Sequence, residues 1–541
     1  MNNAICGMMD PHNEPVFGYL PNSPERINLL NELKRQSNVE IEIPLIIAGK
    51  EVRTGNVGKV VMPHNHGHVL ATYYKAGEKE VAMAIEAAMS VKEEWMTMSW
   101  VERSAIFFKI ADLLAKKYRY TINAATMLGQ SKNAYQAEID AVCESIDFLR
   151  YNTFFASQIY NQQPKSDSAA MNRLEYRPLE GFVFAISPFN FTAIGTNLCT
   201  APALMGNTVV WKPATTSLLS NYYLMKIYEE AGLPGGVINF IPGAGSTIGN
   251  VVLGNKHLAG IHFTGGTSTF NSLWKKVGEN LDNYVSYPKL VGETGGKDFV
   301  MVHPSAEPLE VATALIRGAF EYQGQKCSAA SRAYLPKSLW TKIKEHLARM
   351  LGEIKVGDVN DLGNFVNAVI DESSFNFIMS YIEKAKNTKD AEIIFGGKGD
   401  KTKGYFIEPT IIQAFDPYFI TMEEEIFGPV LTIYVYEDDK FEETLKIVDQ
   451  TSPYALTGAI FAKDRRVLSH MCRALRYSAG NFYYNDKPTG AVVGLQPFGG
   501  ARKSGTNDKA GGYMNLTRWT SPRTIKETFL PAIDYKYAYM Y

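Results

Sequence analysis

Three polar side chains in this sequence carry chemistry that fits covalent catalysis. Cys327 lies in GQKCS, where small neighbours would let its thiol face a pocket, and a thiolate is a strong nucleophile. Glu293 lies in GETGGK, and a carboxylate beside two glycines can approach a reaction centre and accept a proton. Asn190, in SPFNF, follows a predicted strand, where its amide can donate to a developing oxyanion.

Each of these residues also has a simpler structural interpretation. A given cysteine is more often a small buried apolar residue, Glu293 can bind backbone amides in a turn, and an asparagine such as Asn190 more often caps a turn or a helix. Lys212 ends a predicted strand in VVWKP and could reach a bound nucleotide, although surface lysines are commoner. The glycine-rich runs at 243–249 and 263–270 both miss GxGxxG, so alone they are weak phosphate-binding signals.

Length, charge and cysteine content narrow the class of protein. The 541 residues suggest about two to four domains. The 55 basic and 56 acidic side chains give a net charge of -1, which does not indicate a nucleic-acid binder. Five widely spaced cysteines predict neither a disulfide framework nor a zinc site, and His64, His66 and His68 read as a polar turn, so no metal is expected.

No membrane partner or export signal is expected. No apolar run reaches the roughly 20 residues that cross a bilayer, and the N-terminus lacks the basic residues of a signal or transit peptide. Free thiols are typical of a reducing compartment. The expected location is the cytoplasm, or the mitochondrial matrix for a processed eukaryotic chain.

The elements that must position these side chains follow from hydrophobic periodicity. The first 40 residues are polar and loop-rich, and helical spacing then runs through 79–95, 101–117, 120–128 and 137–151. From 181, short β-rich runs alternate with helices. The predicted strands are 182–186, 208–211, 237–241, 261–264 and 299–302, with helices at 193–205, 217–231, 246–253 and 267–280 between them. This alternation predicts an α/β fold with a parallel sheet, which binds ligands beyond the carboxyl ends of its strands.

The motifs taken together resemble the aldehyde dehydrogenase superfamily. In chain order they are SPFNF, WKP, FTGG, GETGGK, GQKCS, EEIFGPV and PFGG, and the resemblance runs from about residue 40 to 525. It implies a Rossmann-like NAD-binding domain at 1–293, an α/β catalytic domain at 294–500 and a C-terminal return and oligomerisation tail at 501–541. The polar segment 161–180, a loop or exposed hairpin, would project as an oligomerisation element of a homodimer.

The resemblance also assigns roles. Cys327 would attack the aldehyde and later carry a thioester, Asn190 and the backbone N–H of Cys327 would hold the oxyanion, and Glu293 would activate the hydrolytic water. The cofactor would be NAD, although Thr215, where an acid often stands, leaves NADP use open. The residues expected along the cofactor are Ser187, Lys212, Gly265, Gly266, Thr267, Ser268, Thr269, Glu425 and Phe427.

A narrower resemblance concerns the substrate. The stretches EYQGQKCSAASR and NDKPTGAVVGLQPFGGARKSGTND are similar to the branch that oxidises L-glutamate γ-semialdehyde, formed from Δ1-pyrroline-5-carboxylate in proline catabolism. A loop at 489–491, the anchor loop, would hold the amino-acid end, and Ala491 stands where some members have a serine hydroxyl. The expected substrate-binding residues are Glu144, Phe191, Ser328, Gly490, Ala491 and Phe498.

Two alternatives remain at this point. The substrate could be another short polar semialdehyde, which the anchor loop would decide, or the chain could be a catalytically silent binding protein on the same fold. Cys327, Glu293 and Asn190 together favour an enzyme. The chain has no room for an added flavin barrel, so a separate proline dehydrogenase would be its functional partner.

Overall fold

The computed structural model describes residues 7–541, and Cys6 lies outside them. The strands are β1 (Ile41–Ile43), β2 (Leu45–Ile47), β3 (Lys50–Val52), β4 (Val57–Met62), β5 (Asn65–Tyr74), β6 (Ala170–Pro178), β7 (Phe182–Ile186), β8 (Thr208–Lys212), β9 (Ile238–Phe240), β10 (Leu258–Thr264), β11 (Lys289–Glu293), β12 (Asp298–Val302), β13 (Ala330–Pro336), β14 (Ala391–Phe395), β15 (Gly399–Asp400), β16 (Phe406–Ile407), β17 (Thr410–Ala414), β18 (Val430–Tyr436), β19 (Tyr454–Ala455), β20 (Thr457–Phe461), β21 (Asn481–Tyr484), β22 (Ala501–Arg502) and β23 (Thr520–Thr528).

The α-helices cover the faces and ends of these strands. They are α1 (Pro24–Ser37), α2 (Glu78–Ser90), α3 (Lys92–Thr97), α4 (Trp100–Lys116), α5 (Arg119–Gln130), α6 (Ala134–Ala137), α7 (Glu144–Asn161), α8 (Thr192–Leu204), α9 (Leu218–Ala231), α10 (Gly245–Gly254), α11 (Thr267–Glu279), α12 (Pro308–Phe320), α13 (Lys337–Glu353), α14 (Glu372–Lys386), α15 (Ile420–Glu423), α16 (Phe441–Gln450), α17 (Arg465–Ala474) and α18 (Tyr513–Thr517). None of the helices within 7–541 is both long enough and apolar enough to span a bilayer.

Two seven-stranded sheets form the centre of the fold. The first has the order β11-β10-β7-β8-β9-β2-β3, and the second has the order β14-β17-β18-β13-β12-β20-β21. Strands β7 to β11 are mutually parallel, and their sequences are almost wholly apolar because helices bury both faces of the sheet. This confirms the predicted α/β class.

The parallel strands of the first sheet end at one shared edge. In the register, Ile186 of β7 lies beside Lys212 of β8, and Thr264 of β10 lies beside Glu293 of β11. The residues that end or follow these strands therefore meet at the carboxyl edge, as the alternating pattern predicts.

The segment 161–180 contributes one strand of a ribbon. Strand β6 pairs antiparallel with β23 over nine residues, from Thr520 opposite Pro178 to Thr528 opposite Ala170. The sequence predicts a loop or hairpin here but does not identify β23 as the partner strand, because the alternating pattern of one strand does not reveal which distant strand it pairs with.

Two helical regions differ from the prediction. The loop-rich reading of the first 40 residues is wrong over α1, which Ser23 caps by accepting the N–H of Arg26 and which begins with Pro24. The single helix predicted at 137–151 is instead a π-helical turn, Glu138–Cys143, followed by the longer α7. The apolar period alone does not distinguish a π turn from an α turn.

Candidate active site

The loop before Cys327 has a constrained backbone. Tyr322 and Gln323 adopt left-handed conformations with φ of 49° and 54°, which are costly for residues with side chains. Gly324 follows with φ of 66°, and a Cβ there would lie 2.2 Å from the carbonyl oxygen of Gly428, so only glycine fits. The Tyr322 hydroxyl donates to the carbonyl of Gln130 at 2.9 Å. These contacts hold the loop that presents Cys327.

Asn190 lies against the same loop. Its side-chain amide donates to the carbonyl of Gln325 at 3.1 Å, and the residue is 3% exposed. An amide nitrogen carries two hydrogens, so within residues 7–541 one N–H of Asn190 is left for a further acceptor. The asparagine is placed by β7, which ends four residues earlier.

Glu293 ends β11 and lines the same cavity as Cys327. One carboxylate oxygen accepts the backbone N–H of Gly500 at 3.1 Å. Burial raises the pKa of Glu293 well above its ordinary value, against the lowering effect of that N–H and of the Lys509 ammonium. A carboxylate whose pKa moves toward neutrality is a better general base at physiological pH.

The thiol of Cys327 is half-buried. Burial raises the pKa of Cys327 well above its ordinary value, and the carboxylates of Asp298 and Glu425 add to the rise. A thiol with a raised pKa needs a base to remove its proton before the sulfur can act as a nucleophile.

A cavity of about 280 Å³ opens beside Cys327. The substrate-binding residues expected from the sequence all line it: Glu144, Phe191, Ser328, Gly490, Ala491 and Phe498. The hydroxyl of Ser328 forms a hydrogen bond with that of Thr489 at 2.8 Å. This bond connects Ser328, the residue after Cys327, to the anchor loop. Gly490 has φ of 94°, a conformation that favours glycine.

One wall of this cavity carries a buried charge cluster that could not be predicted from the sequence. The Lys132 ammonium bonds to the Asp140 carboxylate at 2.6 Å and lies 4.2 Å from the centre of the Phe191 ring. The ammonium of Lys326, the residue before Cys327, lies 3.4 Å from the same carboxylate. Burial lowers the pKa of Lys132 to about 8. Lys132 lies in the polar link between α5 and α6 and Asp140 lies in the π turn, so neither position stands out in the sequence.

The expected cofactor residues gather at the carboxyl edge of the first sheet. The Trp211 indole donates to the Ser187 hydroxyl at 3.0 Å, and within residues 7–541 the Lys212 ammonium donates only to the carbonyl of Pro213, at 3.2 Å. Lys212 therefore keeps donors for a ligand. Gly266 caps α11, and a Cβ there would meet open space, so the N-terminus of that helix is accessible to a phosphate. Thr267, Ser268 and Thr269 form the first turn of α11, directly after Gly265 and the N-cap Gly266.

Glu425 and Phe427 face this edge from the other half of the chain. One Glu425 oxygen accepts the N–H of Gly296 at 2.8 Å, and burial raises the pKa of Glu425 to about 7. Phe427 has φ of 58° and packs edge-to-face against Phe189 with ring centres 5.9 Å apart. The remaining oxygen of Glu425 can accept a ribose hydroxyl, so these residues fit a dinucleotide.

The chain has close relatives of known name. Residues 52–525 match the model of the aldehyde dehydrogenase family. The chain is 55% identical over 540 residues to the mitochondrial delta-1-pyrroline-5-carboxylate dehydrogenase of Dictyostelium discoideum, covering 99% of this chain and 97% of the relative. It is 50% identical over 529 residues to the Homo sapiens protein of the same name, covering 98% and 94%.

A solved structure has the same fold over the whole chain. The delta-pyrroline-5-carboxylate dehydrogenase of Mycobacterium tuberculosis, bound with NAD, superposes with a TM-score of 0.96 at 52% identity and covers 100% of both chains. The match in sequence over most of the chain and the shared fold lead to one conclusion: the chain belongs to the aldehyde dehydrogenase family.

Proposed function

We propose that this protein oxidises L-glutamate γ-semialdehyde, the open form of Δ1-pyrroline-5-carboxylate, to L-glutamate in the second step of proline catabolism. The observation that carries this proposal is the single cavity lined by both Cys327 and the anchor loop residues Gly490 and Ala491. Backbone N–H groups of the loop can bind the substrate carboxylate while the aldehyde end reaches the thiol. The names of the relatives support the same substrate.

The cofactor is NAD. Lys212 and Glu425 would bind its two riboses, Gly265, Gly266 and the first turn of α11 would bind its phosphates, and Ser187 and Phe427 would flank it. The unused donors of Lys212 and the open space at Gly266 support this assignment, as does the NAD in the Mycobacterium tuberculosis relative. When bound, NAD accepts the hydride released from the substrate carbon.

The residues of this chain then divide the reaction between them. A base removes the proton of the Cys327 thiol, the sulfur bonds to the aldehyde carbon, and the carbonyl π electrons move to the oxygen. The resulting oxyanion accepts hydrogen bonds from the N–H groups of Asn190 and Cys327. Loss of hydride leaves a thioester on Cys327. Glu293 removes a proton from water, the water oxygen attacks the thioester carbon, and the carbon–sulfur bond breaks to release glutamate.

The domain and subunit assignments belong to the same proposal. We assign NAD binding to 1–293, catalysis to 294–500 and oligomerisation to 161–180 with 501–541, in a homodimer that works beside a separate proline dehydrogenase. The two sheets, whose strands fall before and after about residue 295, and the β6–β23 ribbon support this division. Two relatives are named as mitochondrial, which supports the matrix as the compartment of a eukaryotic chain.

The test is NADH formation with Δ1-pyrroline-5-carboxylate, comparing the wild type with Cys327→Ala. Succinate semialdehyde and propanal serve as competing substrates. We expect a clear preference for pyrroline-5-carboxylate and no activity in the variant. A better rate with another aldehyde would contradict the substrate, and full activity in the variant would contradict the role of Cys327.

A further inference from the structure

An N-terminal strap, residues 13–19, closes one side of the substrate cavity. Asn13, Glu14 and Val16 line the cavity together with the anchor loop. The strap contains neither helix nor strand, so side-chain contacts determine where it lies.

Most contacts of the strap hold it to the helices alone. The Glu14 carboxylate pairs with Arg119 at 2.6 Å and with Arg150 at 2.7 Å. The Tyr19 hydroxyl donates to the Glu138 carboxylate at 2.6 Å. These bonds join the strap to α5, to the π turn and to α7, and none of them involves the anchor loop.

Asn13 makes a different set of contacts. Its amide nitrogen donates to the Asp147 carboxylate at 2.8 Å and to the carbonyl of Val493 at 2.8 Å, and its amide oxygen accepts the Tyr151 hydroxyl at 3.1 Å. Asp147 and Tyr151 belong to α7, which also carries Glu144, while Val493 lies two residues beyond the anchor loop. One side-chain amide therefore joins the two walls of the cavity.

The anchor loop is held from the α7 side at a neighbouring point. Gly494 has φ of 81°, and a Cβ there would lie 2.1 Å from the Tyr151 ring, so the ring packs directly on the backbone. The Val493 side chain is buried with Phe148 and Tyr151. Apolar packing thus sets where the loop ends, while the bond from Asn13 fixes the orientation of the peptide group three residues after Gly490.

We propose that Asn13 is a positioning residue that orders the anchor loop and so sets the affinity for the amino-acid end of the substrate. It takes no part in the chemistry at Cys327. The physical reason is that a loop already ordered before binding does not lose further conformational freedom when the carboxylate binds. This inference rests on the proposed function.

The test compares Asn13→Ala with the wild type. We expect the KM for Δ1-pyrroline-5-carboxylate and the Kd for glutamate, measured by titration calorimetry, each to rise about tenfold, the size of one to two lost hydrogen bonds. We expect kcat to change less than about twofold, and kcat/KM for propanal, which lacks an amino-acid end, to be unaffected. Asn13→Asp keeps the volume, loses the amide hydrogens and places a second carboxylate against Asp147, so it should raise the KM at least as much as Asn13→Ala.

Tyr19→Phe is the matched control, because it removes two hydrogen bonds of the same strap, with Glu138 and Asn123, that do not reach the loop. It should lower the unfolding temperature while leaving the KM unchanged. Equal KM shifts in Asn13→Ala and Tyr19→Phe, or an equal loss with propanal, would overturn the positioning role. A wild type inactive on pyrroline-5-carboxylate would refute the proposed function instead, and the glutamate Kd would still decide the role of Asn13.

Discussion

Replacing Glu293 by glutamine separates the two halves of the proposed reaction. The carboxylate accepts the N–H of Gly500 at 3.1 Å, and a glutamine of the same shape can accept that bond through its amide oxygen. The substitution therefore removes the base and keeps the contact. Its effect on folding should be small compared with its effect on turnover.

The size of the effect follows from the surroundings. Several other carboxylates line the cavity, and two of them are already paired: Asp140 with Lys132 at 2.6 Å and Glu321 with Arg317 at 2.9 Å. Glu144 and the strap-bound Asp147 lie on the α7 side. With Glu293 gone, the loss should lie well inside the range of about 10²–10⁴ for a general base. We expect about a thousandfold lower kcat, equivalent to about 4 kcal/mol.

The two steps should not slow equally. Water, with a pKa of about 15.7, depends on a base far more than a thiol, whose ordinary pKa is about 8.5. Hydrolysis of the thioester should therefore slow more than attack by Cys327, and the thioester should accumulate.

Rapid mixing with NAD and substrate gives the readout. The Glu293→Gln variant should form about one NADH per Cys327 and then nearly stop, and acid-quenched protein should carry the acyl group in its intact mass. Because the pKa of Glu293 is raised, wild-type turnover should fall as the pH drops through that raised value, while the variant should show no such fall. Turnover within tenfold of the wild type, or a slow first phase without thioester, would refute the reasoning.

Three further predictions concern the walls of the site. Ala491→Ser adds a hydroxyl beside the anchor-loop N–H groups. It should lower the substrate KM roughly two- to tenfold at unchanged kcat, measured by NADH formation. An unchanged KM would show that the backbone N–H groups are sufficient for binding. Glu425→Gln should raise the KM for NAD about tenfold, measured by cofactor titration, and an unaltered NAD affinity would remove Glu425 from the cofactor site. Lys132→Met leaves the buried Asp140 without its nearest partner and should cost about 3 kcal/mol in urea unfolding at pH 7. The pKa of Lys132 is about 8 in the folded protein, and its ordinary value is about 10.4. Between those pH values only the unfolded chain still holds the proton, so the free energy of unfolding of the wild type should rise with pH. The variant should lack that rise, and identical pH slopes of the two proteins would contradict the prediction.

Much of the fold and the site could be predicted from local sequence. Strands such as β7 and β8 are short apolar runs between turn signals, and the order of alternating elements implies parallel pairing with a shared carboxyl edge. Once that edge is fixed, Lys212 and Glu293 must lie at the same edge of the sheet because each ends a strand, with β10 and β7 between their strands. The glycine before Cys327 and the glycines on both sides of Glu293 likewise indicate close backbone approach.

Contacts between distant parts of the chain could not be predicted in this way. Nothing in a polar N-terminal stretch indicates that Asn13 bonds to Val493, and nothing in β6 indicates β23 as its partner. The pairing of Lys132 with Asp140 depends on a π turn that the apolar period does not reveal. In each case the missing information is a tertiary contact that decides between locally equivalent conformations.

The bond from Asn13 to Val493 joins residues 480 positions apart, and this separation has a consequence for biosynthesis. At translation rates of roughly 5–20 residues per second, the strap leaves the ribosome about 24 to 96 s before its partner is made. During that interval Glu14 and Tyr19 can already bind their helical partners, but the loop that completes the cavity does not yet exist. A nascent chain can thus fold its first sheet long before the loop that recognises the substrate has been made. Catalytic competence therefore arises only near the end of synthesis.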